Sequence, residues 1–167
     1  LLIGPIDNYH WTPGNAIAQR SDRLGLAFDS EVVRAQYQEM IAAYEEAGVN
    51  VYQIPAEAGL PYQVYARDSS VMTPWGAIIM QMEKPYRRGE YAAVLRFYLE
   101  HGIPIYDIVS AGNVEGGDFM VLKPGVAICG YSGERSIEPA VNQLKNWFEA
   151  EGWEFMTYAF DPHFLHV

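Results

Sequence analysis

A single cysteine, Cys129, stands among 167 residues, so no internal disulfide framework can form. No stretch approaches the ~18 apolar residues of a membrane span, and no basic-then-apolar segment opens the sequence. Basic charge is equally scarce. No contiguous Lys/Arg run exceeds Arg87-Arg88, and the net charge of −10 argues against a phosphate-backbone partner. Neither a nucleic-acid partner nor a membrane is therefore expected, and a cytoplasmic setting is. An acidic chain suits a cationic small ligand, although the same charge serves solubility in many proteins.

The chain is half apolar, 14% aromatic and 19% charged, which is the composition of a folded globular domain. At this length one domain with a sizeable core is expected over 1–167. The chain opens on Leu1 rather than Met and stops at Val167, as if it were the N-terminal part of a longer protein.

Three segments have helical apolar periodicity and end at glycine. The first spans about Ser30 to Ala47, with Asp29 or Ser30 as cap and Val33, Tyr37, Met40, Ile41 and Tyr44 on one face. The second spans about Arg88 to His101. The third spans about Ile137 to Glu151, with Ser136 as cap and Pro139 in the first turn, where its missing N–H costs little. Strands are predicted directly after Gly48, Gly102 and Gly152, over Val49–Ile54, Ile103–Val109 and Trp153–Phe160. Hairpins precede the second and third helices: Ser70–Thr73 with Ala77–Met82, and Phe119–Leu122 with Val126–Gly130. The order strand, turn, strand, helix, glycine, strand thus recurs at about fifty residues, the mark of a repeated α/β supersecondary unit.

Asp68, Asp118 and His166 lie fifty and forty-eight positions apart, at matching places in this repeat. A repeat that returns to a common axis would bring the three together. Arg67-Asp68 opens one hairpin and Glu115-Gly116-Gly117-Asp118 the next, with glycines that let backbone approach a ligand closely. Taken alone, each is an ordinary turn; the matched positions give them weight. Arg87 and Arg135 follow their hairpins at similar offsets and have the fork geometry that binds a carboxylate, or they are plain surface residues at helix starts. His163 and His166 form an H-x-x-H pair with no third or fourth ligand nearby, so no metal is expected. Cys129, inside an apolar strand, reads as a buried residue rather than a reactive thiolate. His101 reads as a favourable charge at a helix C-terminus.

Four runs, taken together, resemble the guanidino-group-modifying (pentein) superfamily of arginine deiminases, dimethylarginine dimethylaminohydrolases and amidinotransferases. They are Tyr65-Ala66-Arg67-Asp68-Ser69-Ser70, Val114-Glu115-Gly116-Gly117-Asp118, Ser132-Gly133-Glu134-Arg135-Ser136 and Phe164-Leu165-His166-Val167. The resemblance implies an α/β-propeller of five ββαβ units, of which this chain would hold about three. It implies that Asp68 grips a substrate guanidinium, that Glu115 orients the histidine and the substrate, and that His166 is the acid–base group. Arg87 and Arg135 would hold the substrate's α-carboxylate. The expected activity is hydrolysis of the guanidino C–N bond of arginine or a substituted arginine through a covalent cysteine intermediate. The alternatives are amidino transfer to an amine, or a non-catalytic binding protein on the same fold. No cofactor is implied, the partner is a small guanidino substrate, and self-association is left open. Three departures stand out. The acid of the family's His-x-Asp motif would be the residue after Val167. The family's nucleophilic cysteine has no counterpart here, since Cys129 does not match it, and Tyr62 replaces the polar residue that some of these hydrolases place six before the Arg-Asp acid.

Overall fold

The computed structural model of the chain describes residues 1–10, 16–26 and 28–166. The fold is α/β with mixed sheets, and the contacts divide into two compact units, Leu1–Val64 and Tyr65–Val167.

In the first unit, strand β1 (Leu2–Ile3) pairs in parallel with β2 (Tyr52–Gln53), and helices α1 (Ala16–Arg23) and α2 (Ser30–Glu46) lie between them in sequence. Strand β2 is shorter than the segment Val49–Ile54 over which it was expected. Asp29 caps α2, its Oδ1 accepting from the N–H groups of Glu31 at 3.0 Å and Val32 at 3.2 Å. Ile3, Ile6 and Tyr37 form the core, with Val33 and Ile41 packed against them. Met40 and Tyr44, predicted on the same face, are exposed. Val33, Tyr37 and Ile41 recur every four residues and form one ridge. Met40 and Tyr44 lie on the next ridge, and this small core covers only the first.

The second unit runs through one order twice. A 3-10 turn, Ala66–Asp68, leads into the antiparallel hairpin β3 (Ser70–Thr73) and β4 (Gly76–Ile79); α3 (Glu90–Glu100) follows, and β5 (Ile105–Ile108) joins β4 in parallel. A second 3-10 turn, Gly116–Asp118, leads into β6 (Phe119–Lys123) and β7 (Val126–Tyr131). Then α4 (Glu138–Ala150) crosses over, and β8 (Glu154–Ala159) joins β7 in parallel. The C-terminal segment after β8 is turn and loop over its described residues.

All three long helices stop by one device. In α2, α3 and α4 a glycine with positive φ (Gly48, Gly102, Gly152) donates its N–H three residues back, and the next residue's N–H reaches five residues back. This is the Schellman pattern, which turns the chain sharply into the next strand. Ser136 does not cap α4. The cap position falls at Ile137 without a side-chain bond, because the Ser136 hydroxyl is engaged elsewhere.

The core of this unit is aromatic and centred on the fully buried Phe148, whose ring lies 5.2–5.6 Å from those of Trp75, Phe119, Trp153 and Phe155. Cys129 is buried here too, opposite Phe119 in the β6–β7 register. His101 sits at the end of α3, stacked on Phe97 at 4.0 Å with its Nδ1 2.8 Å from the Phe97 carbonyl. Among the described residues, no helix is long and apolar enough to cross a membrane.

Candidate active site

The two 3-10 turns of the second unit pack against each other. Gly116 lies so close to the Arg67 carbonyl that a Cβ there would stand 2.1 Å from that oxygen, and the Arg67 guanidinium donates to the Phe119 carbonyl. Each turn ends in a buried aspartate, Asp68 or Asp118, immediately before a hairpin. The packing of the turns brings these acids into one cluster with Glu115, which is fully buried.

Asp68 uses both oxygens. Its Oδ1 accepts the Gly117 N–H at 3.1 Å, and its Oδ2 accepts Arg87 Nη1 at 3.0 Å. Arg87 comes from the segment between β4 and α3 and is itself buried. Its Nε and Nη2 donate to the two oxygens of Glu90, at 3.0 and 2.8 Å, in a fork-to-fork pair. Its Nη1 also lies 3.9 Å from Glu115. Arg135, from the segment between β7 and α4, donates Nη1 to Glu115 at 3.0 and 3.3 Å. Both arginines predicted to hold a substrate carboxylate thus have their guanidinium groups on acids of the chain itself.

His166 arrives from the C-terminal loop. Its Nδ1 is 3.0 Å from Asp118 Oδ1, and its Nε2 is 3.8 Å from Asp68 and 4.0 Å from Glu115. The hydrogen bond that sets the ring therefore involves Asp118. Asp118 is one of the three matched positions expected to converge, whereas the family resemblance implied that Glu115, three positions earlier, orients the histidine. Asp118 in turn accepts from the Ser136 hydroxyl, which accepts the Glu115 N–H at 3.1 Å. Gly117 makes the meeting sterically feasible. A Cβ at that position would lie 2.7 Å from the His166 ring and 2.8 Å from Asp68 Oδ1.

The electrostatics follow from this geometry. The His166 imidazole is held above its ordinary pKa by the hydrogen bond to Asp118, against the opposing effect of burial, with the charges of Asp68, Asp118 and Glu115 adding to the rise. Burial pushes the Glu90 carboxyl up, and the bonds and charge of Arg87 only partly counter it. Burial works to lower the Arg87 guanidinium; the hydrogen bonds and charge of Glu90, then Asp68 and Glu115, more than offset this and leave it raised. The Cys129 thiol is pushed far up by burial and then by the charge of Asp118, which disfavours the thiolate form that a nucleophile needs.

His163, the near neighbour of His166 in the H-x-x-H pair, is exposed in the C-terminal loop. The fold instead gathers ligand atoms of Asp68, Glu115 and His166 within 4.8 Å of one another, from three separated segments. Such a set suits a cation of either kind, metal or organic. Its two carboxylates already face the guanidinium groups of Arg87 and Arg135. Glu90 and Ser136 complete the network, and sequence reasoning had given neither a part in it. Glu90 could have been found as the acid three residues after Arg87, on the same side of a helix start.

The arginine deiminase family model matches residues 29–155, well over half the chain. The chain belongs to the arginine deiminase family. The match spans Asp68, Arg87, Glu90, Glu115, Asp118, Arg135 and Ser136 and ends short of His166. Membership in this family places the chain in the guanidino-group-modifying (pentein) superfamily whose motifs it resembles. An uncharacterized protein of Aeropyrum pernix is 29% identical over 128 residues, covering 75% of this chain and 47% of that protein. The uncharacterized protein YkgA of Bacillus subtilis is 30% identical over 110 residues, 66% of this chain and 37% of its own length. The chain thus spans less than half of these curated relatives.

Among solved structures, dimethylarginine dimethylaminohydrolase from Pseudomonas aeruginosa, a cysteine-to-serine mutant complexed with citrulline, aligns with a TM-score of 0.77 at 20% identity. The alignment covers 99% of this chain and 62% of that one. The N-terminal domain of ArgZ, a cyanobacterial arginine dihydrolase bound to product, aligns with a TM-score of 0.78 at 18% identity, covering 99% and 59%. At these identities the likeness shows the pentein fold for this arginine deiminase family member.

Proposed function

We propose that this chain supplies the guanidinium-binding and proton-transfer groups of a hydrolase acting on the guanidino C–N bond of arginine or a substituted arginine. The observation that carries the reading is the convergence of Asp68, Glu115 and the Nε2 edge of His166 within 4.8 Å. The complete enzyme would be a five-unit α/β-propeller, with the two ββαβ units after Tyr65 forming part of the ring and this chain its N-terminal part. A cytoplasmic setting and a small-molecule partner belong to the same reading.

A guanidinium is planar, delocalised and protonated, so its carbon resists attack. Carboxylates on its N–H edges fix the plane and leave the carbon open along the normal. Asp68 and Glu115 take that role. A cysteine thiolate, contributed by a segment outside these 167 residues because Cys129 is buried and unreactive, forms a C–S bond to the carbon. His166 Nε2 gives its proton to the departing nitrogen as the C–N bond breaks. It then takes a proton from water, whose oxygen attacks the same carbon and expels the thiolate, leaving a urea-type product such as citrulline. Arg87 and Arg135 flank the guanidinium site and are assigned to the ligand's carboxylate end, which requires that each yield part of its contact with Asp68 or Glu115.

Turnover of arginine, methylated arginines and agmatine by the complete protein, followed as citrulline, ammonia or amine release, tests the reading. Release of ammonia or amine with a urea product is expected, with loss of turnover in His166→Ala and none from the 167-residue chain alone. Amidino transfer to an added amine in preference to water would identify a transferase. No reaction with any of these compounds, with ligand binding unchanged in His166→Ala, would overturn the assignment.

A further inference from the structure

We propose that Glu90, which meets no substrate in the reading above, is a positioning residue that keeps the site anionic by engaging the Arg87 guanidinium. It thereby sets the preference of the site for a cationic ligand of the guanidinium class. The inference deepens the proposed function and rests on it.

The cluster contains four carboxylates (Asp68, Glu90, Glu115, Asp118) and two guanidinium groups (Arg87, Arg135). With His166 neutral, two negative charges remain uncompensated. Three of the acids have a dedicated partner within the cluster: Asp68 has Arg87, Glu115 has Arg135, and Asp118 has His166. Glu90 is the fourth. It shares Arg87 with Asp68 and takes the larger part of it, both Nε and Nη2, leaving only Nη1 to Asp68. Were Glu90 uncharged, Arg87 would neutralise Asp68 outright. With His166 protonated, no negative charge would then be left for an incoming cation. With Glu90 ionised, one remains, which matches a single guanidinium.

Burial opposes ionisation of Glu90, and the two hydrogen bonds and the charge of Arg87 act against that effect. Glu90 is 1% exposed and Arg87 4%, so bulk water does little to screen either group. An acid at that depth needs a partner, and Arg87 is that partner. The bidentate geometry also fixes the direction in which Arg87 presents Nη1, toward Asp68 and, at 3.9 Å, Glu115. Ser69 supports the arrangement through a 3.5 Å contact of its hydroxyl with Glu90 Oε2.

Two measurements on the same variants test this. One is binding of agmatine by calorimetry; the probe carries the guanidinium but no carboxylate, so a loss of carboxylate binding does not enter. The other is the titration of the His166 imidazole by NMR, which needs no ligand. The groups facing that ring are Asp118, Asp68 and Glu115, with Arg87 and Arg135 behind the latter two, and its own loop carries Asp161 and His163.

Glu90→Gln is expected to weaken agmatine at least about fivefold and to lower the His166 midpoint by about 0.5 in pH, because Arg87 then neutralises Asp68 and the cluster loses one negative charge. The double variant Arg87→Met/Glu90→Leu removes both charges, restores the original balance and is expected to recover most of both losses; apolar replacement of a buried pair is commonly tolerated. If Glu90→Gln does not fold, the double variant carries the test by itself. A purely structural Glu90 predicts that the double variant is at least as impaired as the single. That result, or agmatine binding and His166 titration unchanged in Glu90→Gln, overturns the proposal. Failure of the unsubstituted protein to bind agmatine would instead overturn the guanidine reading of the site, and the His166 titration would still decide the charge role of Glu90.

Discussion

Asp118 and His166 meet through a 3.0 Å hydrogen bond between carboxylate Oδ1 and imidazole Nδ1, although forty-eight positions separate them. The other carboxylate oxygen is fixed by the Ser136 hydroxyl. An acid held at both oxygens has little rotational freedom, so the imidazole it engages is aimed as well. Nδ1 faces Asp118, and Nε2 is turned to the space beside Asp68 and Glu115. That is where a proton would be passed.

The same contact makes stability depend on pH with a definite sign. The folded His166 pKa is raised, first by the Asp118 hydrogen bond. A group whose folded pKa exceeds its unfolded value near 6.5 stabilises fully below that value, and the stabilisation is lost as pH rises through the folded pKa. Asp118→Asn should lower the His166 midpoint in an NMR titration and remove this part of the pH dependence of unfolding. An unchanged midpoint would mean that Asp118 does not govern the ring.

Gly116 and Gly117 make separate and testable demands on space. In Gly116→Ala the new methyl would meet the Arg67 carbonyl, which is backbone and cannot swing aside, so the two turns must part. A loss of about 1–3 kcal/mol in denaturant unfolding is expected, the usual size for overpacking. In Gly117→Ala the clash is with the ends of His166 and Asp68, which can move. Here the expected result is a smaller stability loss together with a marked fall in the His166 midpoint, as the ring leaves Asp118. Equal stability losses in the two variants would contradict this division.

How far the sequence foretold this arrangement depends on the distance over which each feature is determined. Helix ends at Gly48, Gly102 and Gly152 are local, set by glycine's access to positive φ, and they were legible. So was the hairpin–helix–strand order after Tyr65, because apolar period and turn residues encode it directly. The convergence of Asp68, Glu115 and His166 was legible only through the repeat and the family motifs, which stand in for long-range contacts. What escaped was the choice of partner. Ser136 reads as a helix cap, yet its hydroxyl oxygen accepts the Glu115 N–H instead of an α4 N–H and its hydrogen goes to the buried Asp118 carboxylate. Arg87 reads as a surface residue or a carboxylate clamp; it is buried and paired with Glu90, whose i,i+3 spacing from Arg87 was the one local sign of that pairing.

Ser136 should therefore behave as a buried bridge. Its hydroxyl satisfies the Glu115 N–H and an oxygen of Asp118 at once, in a fully buried position. Ser136→Ala leaves both without that partner, and a loss of about 1–3 kcal/mol is expected from the unsatisfied groups. Ser132→Ala is a useful control. Its hydroxyl makes only a 3.5 Å contact with the Glu134 N–H at an exposed turn, where a change within about 0.5 kcal/mol is expected. Similar losses in the two variants would remove Ser136 from its bridging role.

Cys129 offers the sharpest separation between a nucleophile and a core residue. It is fully buried opposite Phe119, and both burial and the nearby charge of Asp118 oppose its ionisation. A thiol so placed should not react with an aromatic disulfide reagent in the native chain, and should react stoichiometrically once denaturant unfolds it. Cys129→Ala should cost about 1–2 kcal/mol through the small cavity it leaves. It should also leave the His166 titration nearly unchanged, since removing a neutral thiol alters no charge in the cluster. If the native thiol reacts readily, or if Cys129→Ala alone abolishes turnover by the complete protein without loss of fold, then the nucleophile lies within these 167 residues and the assignment of that role to a segment outside them is wrong.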